Sequence, residues 1–205
     1  MNTAANHLDD PGFIERLDPH GMLAEIDALP QQLQEAWDLG MQQPLFTTAP
    51  QFERVLIAGM GGSAIGADLV SAHAAGTCRL PVVVHRDYGL PAWAQGAGTL
   101  VIASSHSGNT EETLSTFEAA RANGCTLLAL CTGGELAQRA RAAEVPLWKF
   151  THAGQPRAAI GFSFGLLLTA FTRLGLLPDA GAALLEAIAT LRQADRQHAL
   201  VVDID

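Results

Sequence analysis

The chain has 205 residues, of which 48% are hydrophobic and 16% are charged, and its formal net charge at pH 7 is -9. This length and composition allow a well-buried core, which argues against a disordered or fibrous protein. Lysine and arginine are few and are not clustered, so the sequence offers no positive surface for binding nucleic acid.

The first predicted elements are helices. Apolar residues recur at three- and four-residue spacing between residues 11 and 39, the pattern of helices that pack one face onto other structure. The N-terminal residues show neither the basic nor the apolar region of a signal peptide. Residues 158–177 come nearest to a membrane span, but polar residues and glycines interrupt them. We therefore expect a cytoplasmic protein without membrane association.

Short apolar strands and helices alternate along the rest of the chain. We predict strands at residues 54–59, 81–86, 99–104, 125–131 and 145–150, and helices at 64–75, 109–123, 135–142, 157–174 and 181–199. Crossover helices between such strands require a parallel sheet that is covered on both faces. The predicted fold class is therefore α/β, a three-layer α-β-α sandwich with a five-stranded parallel sheet, plus N-terminal and C-terminal helices.

The turn GMGGSAIGADL, residues 59–69, follows the first strand and opens a helix. Its glycines allow backbone amides to approach a ligand closely, and Ser63 adds a hydroxyl, so the turn is typical of an anion site. Two alternatives stay open here. The glycines and Ala64 also fit a loose dinucleotide-binding pattern with Asp87 as the ribose-binding acid, and the turn can equally be a tight connection without a ligand.

The turn SSHSGNTEETL, residues 104–114, contains three hydroxyls within six positions, those of Ser105, Ser107 and Thr110. Together with helix N-terminal amides, expected to be free from residue 108 to 111, they can hold a phosphate dianion without a lysine. The alternative is an ordinary helix start, in which a serine or Asn109 is the N-cap and Glu111 and Glu112 follow. That alternative needs one polar side chain and leaves the hydroxyls unexplained.

Four segments together point to a family. In their residues and in their order, they resemble the sugar isomerase (SIS) domain of bifunctional phosphoglucose/phosphomannose isomerases. The segments are GMGGSAIGADL, DYGLP at residues 87–91, SSHSGNTEETL, and GQPRAAIGF at residues 154–162. The resemblance implies a flavodoxin-like SIS fold and the interconversion of glucose 6-phosphate or mannose 6-phosphate with fructose 6-phosphate. It implies that Ser63, Ser105, Ser107 and Thr110 bind the substrate phosphate and that the Gly62 amide lies at the sugar.

The resemblance also implies a catalytic Arg157, which would stabilise the negative charge of an enediolate. A surface arginine at the start of a helix, paired with an acid, is the alternative. His106 departs from the family, in which a tyrosine is expected at this position. It can contact substrate or simply fill the same space.

Aldose to ketose isomerisation needs a general base, which the resemblance assigns to residues beyond the matched motifs. The chain offers only poor substitutes. Lys149, its only lysine, lies in a predicted strand, and Glu186 and His198 lie on predicted helices at the spacing of solvated positions. We therefore expect no general base in this chain, and no metal or other cofactor. The phosphosugar substrate, and either a homodimer or a missing second SIS domain, are the expected partners.

Two functions remain open. The chain is either the N-terminal half of an isomerase or a non-catalytic SIS domain that binds sugar phosphates, and the ending VVDID favours truncation. We divide the chain into a helical segment at 1–50, an SIS domain at 51–178, and a C-terminal helix at 179–205 leading toward an absent second SIS domain. The apolar segment 161–177 is expected to dock on that domain or on a partner.

The cysteines Cys78, Cys125 and Cys131 are odd in number and lack CxxC spacing. This pattern predicts neither a disulfide framework nor a zinc site. We expect three free thiols.

Overall fold

The computed structural model describes residues 11–46 and 51–201, with side chains as far as residue 194 except those of residues 11, 14 and 15. The helices are α1 Pro11–Leu17, α2 Met22–Asp27, α3 Leu29–Gln42, α4 Gly61–Ala74, α5 Glu111–Ala122, α6 Gly134–Ala142, α7 Ile160–Arg173 and α8 Gly181–Val201. The strands are β1 Arg54–Ala58, β2 Val82–His85, β3 Thr99–Ser105, β4 Thr126–Cys131 and β5 Leu147–Lys149. A turn of 3-10 helix at Pro156–Ala158 precedes α7.

The strands form one sheet in the order β2-β1-β3-β4-β5, and each neighbouring pair is parallel. Strand β3 lies at the centre and is buried along its whole length, as the apolar run LVIA at its middle predicts. Because the strands are parallel, their carboxyl ends lie at one edge of the sheet, where ligands of such folds bind. The five-stranded parallel sheet is as predicted.

Two apolar clusters cover the two faces of the sheet and make it the middle layer of a sandwich. Side chains of α3, α4, α7 and α8 pack on one face, and side chains of α5 and α6 pack on the other. Alternate residues along β3 point into opposite clusters, so that Ile102 belongs to the first and Val101 to the second. The predicted three-layer α-β-α sandwich is therefore confirmed.

Helix α7 departs from expectation, because its apolar face is covered within this chain. Small residues on the facing helices permit the close approach. A Cβ placed on Gly165 would stand 2.7 Å from the Cβ of Ala36 in α3, and one on Gly40 would stand 2.8 Å from the Cγ2 of Thr169. The prediction that this segment docks on a second domain or partner is wrong for α7, since α3 and α4 bury it.

Helix α7 also begins later than predicted, at Ile160 instead of residue 157, because the preceding residues form the 3-10 turn. Helix α5 begins at Glu111, with Thr110 as its N-cap. In α8, Leu184 and Ile188 face the core while Leu185 is exposed. Among the helices of the described residues, none is both long and apolar enough to cross a membrane.

Candidate functional site

The loops after β1, β3 and β5 meet at the carboxyl edge of the sheet. The loop after β3 is the richest in hydroxyl groups. There the Ser105 Oγ lies 2.9 Å from the Thr110 Oγ1 and accepts a hydrogen bond from the Gly108 amide at 3.0 Å. Ser105 is buried and Thr110 is half-buried. These hydroxyls therefore form a fixed pair at the start of α5, which we call the hydroxyl pair.

The third hydroxyl of this loop is turned back on its own chain. Ser107 is exposed, and its Oγ accepts a hydrogen bond from the Asn109 amide at 3.1 Å. The prediction that the amides from 108 to 111 are all free is thus wrong for Gly108 and Asn109. In the described part of the chain, the amides of Thr110 and Glu111 have no hydrogen-bond partner. These two amides, at the positive end of α5, remain available to an anion.

Asn109 does not cap α5, so the alternative of an ordinary asparagine-capped helix start is wrong. Its Oδ1 instead accepts a hydrogen bond from the Glu135 amide at 2.9 Å, at the start of α6. The Gly108 carbonyl likewise accepts from the Leu136 amide at 2.8 Å. These bonds fasten the loop after β3 to α6, and they set the position of the hydroxyl pair.

The glycine turn lies beside this loop. The buried Ser63 accepts, through its Oγ, a hydrogen bond of 3.2 Å from the His106 amide. A Cβ placed on Gly62 would stand 2.8 Å from the Pro156 carbonyl oxygen and 3.4 Å from the Arg157 Cα. Only a glycine at this position permits that approach. The turn therefore connects the hydroxyl-bearing loop to the segment that carries Arg157.

Arg157 lies in the 3-10 turn and is exposed, not at the start of a helix as predicted. Its side chain makes no hydrogen bond or ion pair with any side chain or backbone group that the structure describes. Its segment is nevertheless held on both sides. The Gln155 amide donates to the Glu25 Oε2 at 2.8 Å, and the Ala158 carbonyl accepts from the Gln32 Nε2 at 2.9 Å. The backbone is anchored while the guanidinium stays available to a ligand.

Sequence reasoning missed His152. This half-buried residue follows β5, and its Nδ1 lies 3.0 Å from the Nε2 of His106. The rings of Phe150 and Phe162 pack against the two histidines. Burial, followed by the charge of His152, lowers the pKa of His106 below its ordinary 6.5. A histidine five positions before Arg157 was the available signal, but nothing in the sequence paired it with His106.

The remaining candidates lie apart from the hydroxyl pair or outside the described side chains. Lys149 ends β5, at the far side of the sheet from the glycine turn, and is exposed, as is Glu186 on α8. His198 lies beyond the described side chains. Asp87, the ribose-binding candidate, is exposed and accepts from the Tyr88 amide at 2.7 Å. Within the described residues, no group of three or more His, Cys, Asp and Glu side chains is placed to hold a metal ion.

Comparison with known proteins agrees with the motifs. No family model matches the chain. Six curated relatives match, and all six are named bifunctional phosphoglucose/phosphomannose isomerase. The relative from Caldicellulosiruptor bescii is 41% identical over 170 residues, which are 83% of this chain and 50% of the relative. That from Aquifex aeolicus is 33% identical over 72% of this chain and 47% of its own length.

Solved structures share the fold at lower identity. A candidate phosphosugar isomerase from Silicibacter pomeroyi superimposes with a TM-score of 0.62 at 22% identity, over 85% of this chain and 56% of that one. The Vibrio vulnificus NanR protein, solved with ManNAc-6P, superimposes with a TM-score of 0.54 at 17% identity, over 93% of this chain and 72% of that one. The chain is therefore a homologue of the bifunctional phosphoglucose/phosphomannose isomerases, and it spans about half the length of the curated relatives that it matches.

Proposed function

We propose that this domain binds the phosphate group of a sugar phosphate at the carboxyl edge of its sheet. The proposal rests on one observation, the hydroxyl pair of Ser105 and Thr110 beside two unpartnered amides at the start of α5. Ser63 and Ser107 supply further hydroxyls from the adjoining turn and loop. The Gly62 amide, next to the Arg157 backbone, is the group that would meet the sugar.

The chemistry of the donors suits a phosphate monoester. Each hydroxyl can donate one hydrogen bond to a phosphate oxygen while it accepts another from the protein. Ser107 already accepts from the Asn109 amide, which leaves its proton for the ligand. In the hydroxyl pair one proton is used between Ser105 and Thr110, and the other is left for the ligand. The dipole of α5 adds partial positive charge at the same place. Such a site can attract phosphate although the whole chain is acidic.

We propose further that the reaction is the interconversion of glucose 6-phosphate or mannose 6-phosphate with fructose 6-phosphate. A base removes the proton from C2 of the open-chain aldose and returns it to C1, and an enediolate forms between these steps. Arg157 would stabilise the negative charge on the enediolate oxygen. The base would come from a second SIS domain or from a partner chain in a homodimer, as the resemblance implies.

The alternative is a domain that binds sugar phosphates without turnover. It is favoured by the positions of Lys149 and Glu186, which are exposed and have no contact with the hydroxyl pair in the described structure. A general base must lie within hydrogen-bond reach of the proton that it removes. Of the candidates named from the sequence, neither Lys149 nor Glu186 meets that requirement in the described structure.

Calorimetric titration with fructose 6-phosphate, fructose and inorganic phosphate tests the phosphate site. We expect the two phosphates to bind and fructose not to bind. The double variant Ser105→Ala, Thr110→Ala should weaken phosphate binding by about 10- to 100-fold, because hydrogen bonds to a charged group are lost. The control variant Ser71→Ala, Thr190→Ala, on α4 and α8, should bind as the parent does. Equal binding by both variants, or no binding by the parent, would contradict the proposal.

Turnover separates the two functions. Proton NMR of fructose 6-phosphate in deuterated water detects exchange at C1 and formation of the aldoses. We expect no exchange at C1 with this chain alone. We expect exchange with a longer chain in which the same reading frame continues into a second SIS domain. If binding is retained and the longer chain is equally inactive, the non-catalytic alternative holds.

A further inference from the structure

Two histidines connect the loop that carries the hydroxyl pair to the segment that carries Arg157. His106 lies between Ser105 and Ser107, and its amide donates to the Ser63 Oγ at 3.2 Å. Its Nε2 lies 3.0 Å from the Nδ1 of His152. Both ends of this contact are therefore joined to residues of the candidate site.

The contact is one hydrogen bond between two imidazoles. It needs one ring nitrogen with a proton and one with a lone pair. It persists when both rings are neutral or when one ring carries a charge. It is lost when both rings are protonated, because then neither nitrogen can accept and the two charges repel.

The surroundings make the contact sensitive to protonation. Phe150 stacks on Phe162 with ring centroids 5.2 Å apart, and each of these rings packs against a histidine. Across a groove beside His152 lie the carboxylates of Glu25 on α2 and Glu35 on α3. These two acids line the same groove as His152, and His152 is the charged neighbour that acts on His106.

The other anchors of the Arg157 segment are few. Glu25 accepts from the Gln155 amide in an exposed position, and Gln32 holds the carbonyl of Ala158. Within residues 150–154, the described structure shows one side-chain hydrogen bond, the contact of His152 with His106. The two histidines therefore add the anchor that ties the N-terminal side of this segment to the loop after β3.

We propose that His106 and His152 form a positioning pair, which holds the Arg157 segment against the phosphate-binding loop and releases it when both rings are protonated. The pair acts through the backbone of the two loops. Its role in ligand affinity rests on the proposed sugar-phosphate site, whereas its effect on the loop does not.

The direction of the pH effect follows from the lowered pKa of His106. A base with a lowered pKa in the folded state takes up its proton more readily in the unfolded or released state. The anchored arrangement is therefore complete above the ordinary pKa of 6.5, and it is lost as the pH falls below that value through the folded-state pKa. Acidification should release the segment.

Hydrogen exchange of peptides covering residues 151–159, corrected for the intrinsic rate, tests the pair directly. In the parent chain we expect exchange to be about fivefold faster at a pH where imidazole NMR signals show both rings protonated than at about pH 7.5, the change expected for one lost hydrogen bond. His106→Phe and His152→Phe keep a ring for packing and should exchange at the faster rate at both pH values. The control His73→Phe, at the exposed end of α4, should behave as the parent does.

A parent chain whose exchange in this segment is independent of pH would overturn the proposal, and no variant is needed for that result. A His106→Phe variant that keeps the parent's pH dependence would overturn it as well.

Binding provides the second measurement. His106→Phe should weaken fructose 6-phosphate about fivefold and inorganic phosphate much less, because the Arg157 segment would meet the sugar. Comparison with the parent at each pH removes the titration of the ligand itself, whose second pKa is about 6. If the parent binds neither ligand, the proposed function fails while the exchange result still decides the positioning pair. Equal weakening of both ligands would contradict a role at Arg157.

Discussion

At the scale of single residues, the hydroxyl-bearing loop depends on one glycine. Gly108 has a positive φ of 72°, and a Cβ at this position would overlap the carbonyl oxygen of Gly133. Its amide donates to Ser105 and its carbonyl accepts from Leu136. This glycine therefore fixes the position of the hydroxyl pair and also packs tightly against Gly133, in the loop before α6.

We predict that Gly108→Ala destabilises the protein by about 2–4 kcal/mol, since the backbone strain adds to a steric clash. Denaturant unfolding measures the loss. Gly124→Ala is the matched control, because Gly124 has a similar φ of 65° but nothing lies within 4 Å of its Cβ position. It should cost only about 1 kcal/mol, the strain alone. Equal losses of unfolding free energy in the two variants would show that Gly133 moves and relieves the clash.

At the scale of elements, the packing of α3 on α7 decides how the apolar segment is buried. Gly165 on α7 meets Ala36 on α3, and Gly40 on α3 meets Thr169 on α7. Small residues at matching positions let the two backbones approach closely. Helix α7 then fills the layer between α3 and α4, and it presents little apolar surface for a further domain.

We predict that Ala36→Leu destabilises the protein by about 1–3 kcal/mol, because the added atoms have no space between α3 and α7. Ala72→Leu, at an exposed position of α4, should change stability by less than about 0.5 kcal/mol. Thermal and denaturant unfolding of both variants provide the comparison. If Ala36→Leu proves neutral, the close approach of the two helices is wrong.

At the scale of the whole molecule, the N-terminal helices belong to the same core as the sheet. Leu33 and Ala36 of α3 share one apolar cluster with Ile57 of β1 and Leu166 of α7. The division at residue 50 that the sequence suggests therefore does not separate two independent bodies. Helices α1 and α2 contribute differently, because their apolar residues Leu17, Leu23 and Ile26 are exposed.

A chain that begins at residue 51 should consequently expose the face of α7 and associate. We expect strong binding of a hydrophobic dye and large species in size-exclusion chromatography. A chain that begins at residue 29 keeps α3 and should elute as the parent does. A monodisperse species from the shorter chain, with the parent's melting temperature, would show that α3 is dispensable.

The sequence by itself determined the alternation of strands and helices, the parallel sheet and the family. These follow from local periodicity and from contiguous motifs, which the chain carries without reference to distant residues. The order of strands, the burial of α7 by α3 and the meeting of His106 with His152 were decided only by the tertiary structure. They bring together residues far apart in the chain, such as Gln32 with Ala158, and no local pattern records which distant side chains will share a space.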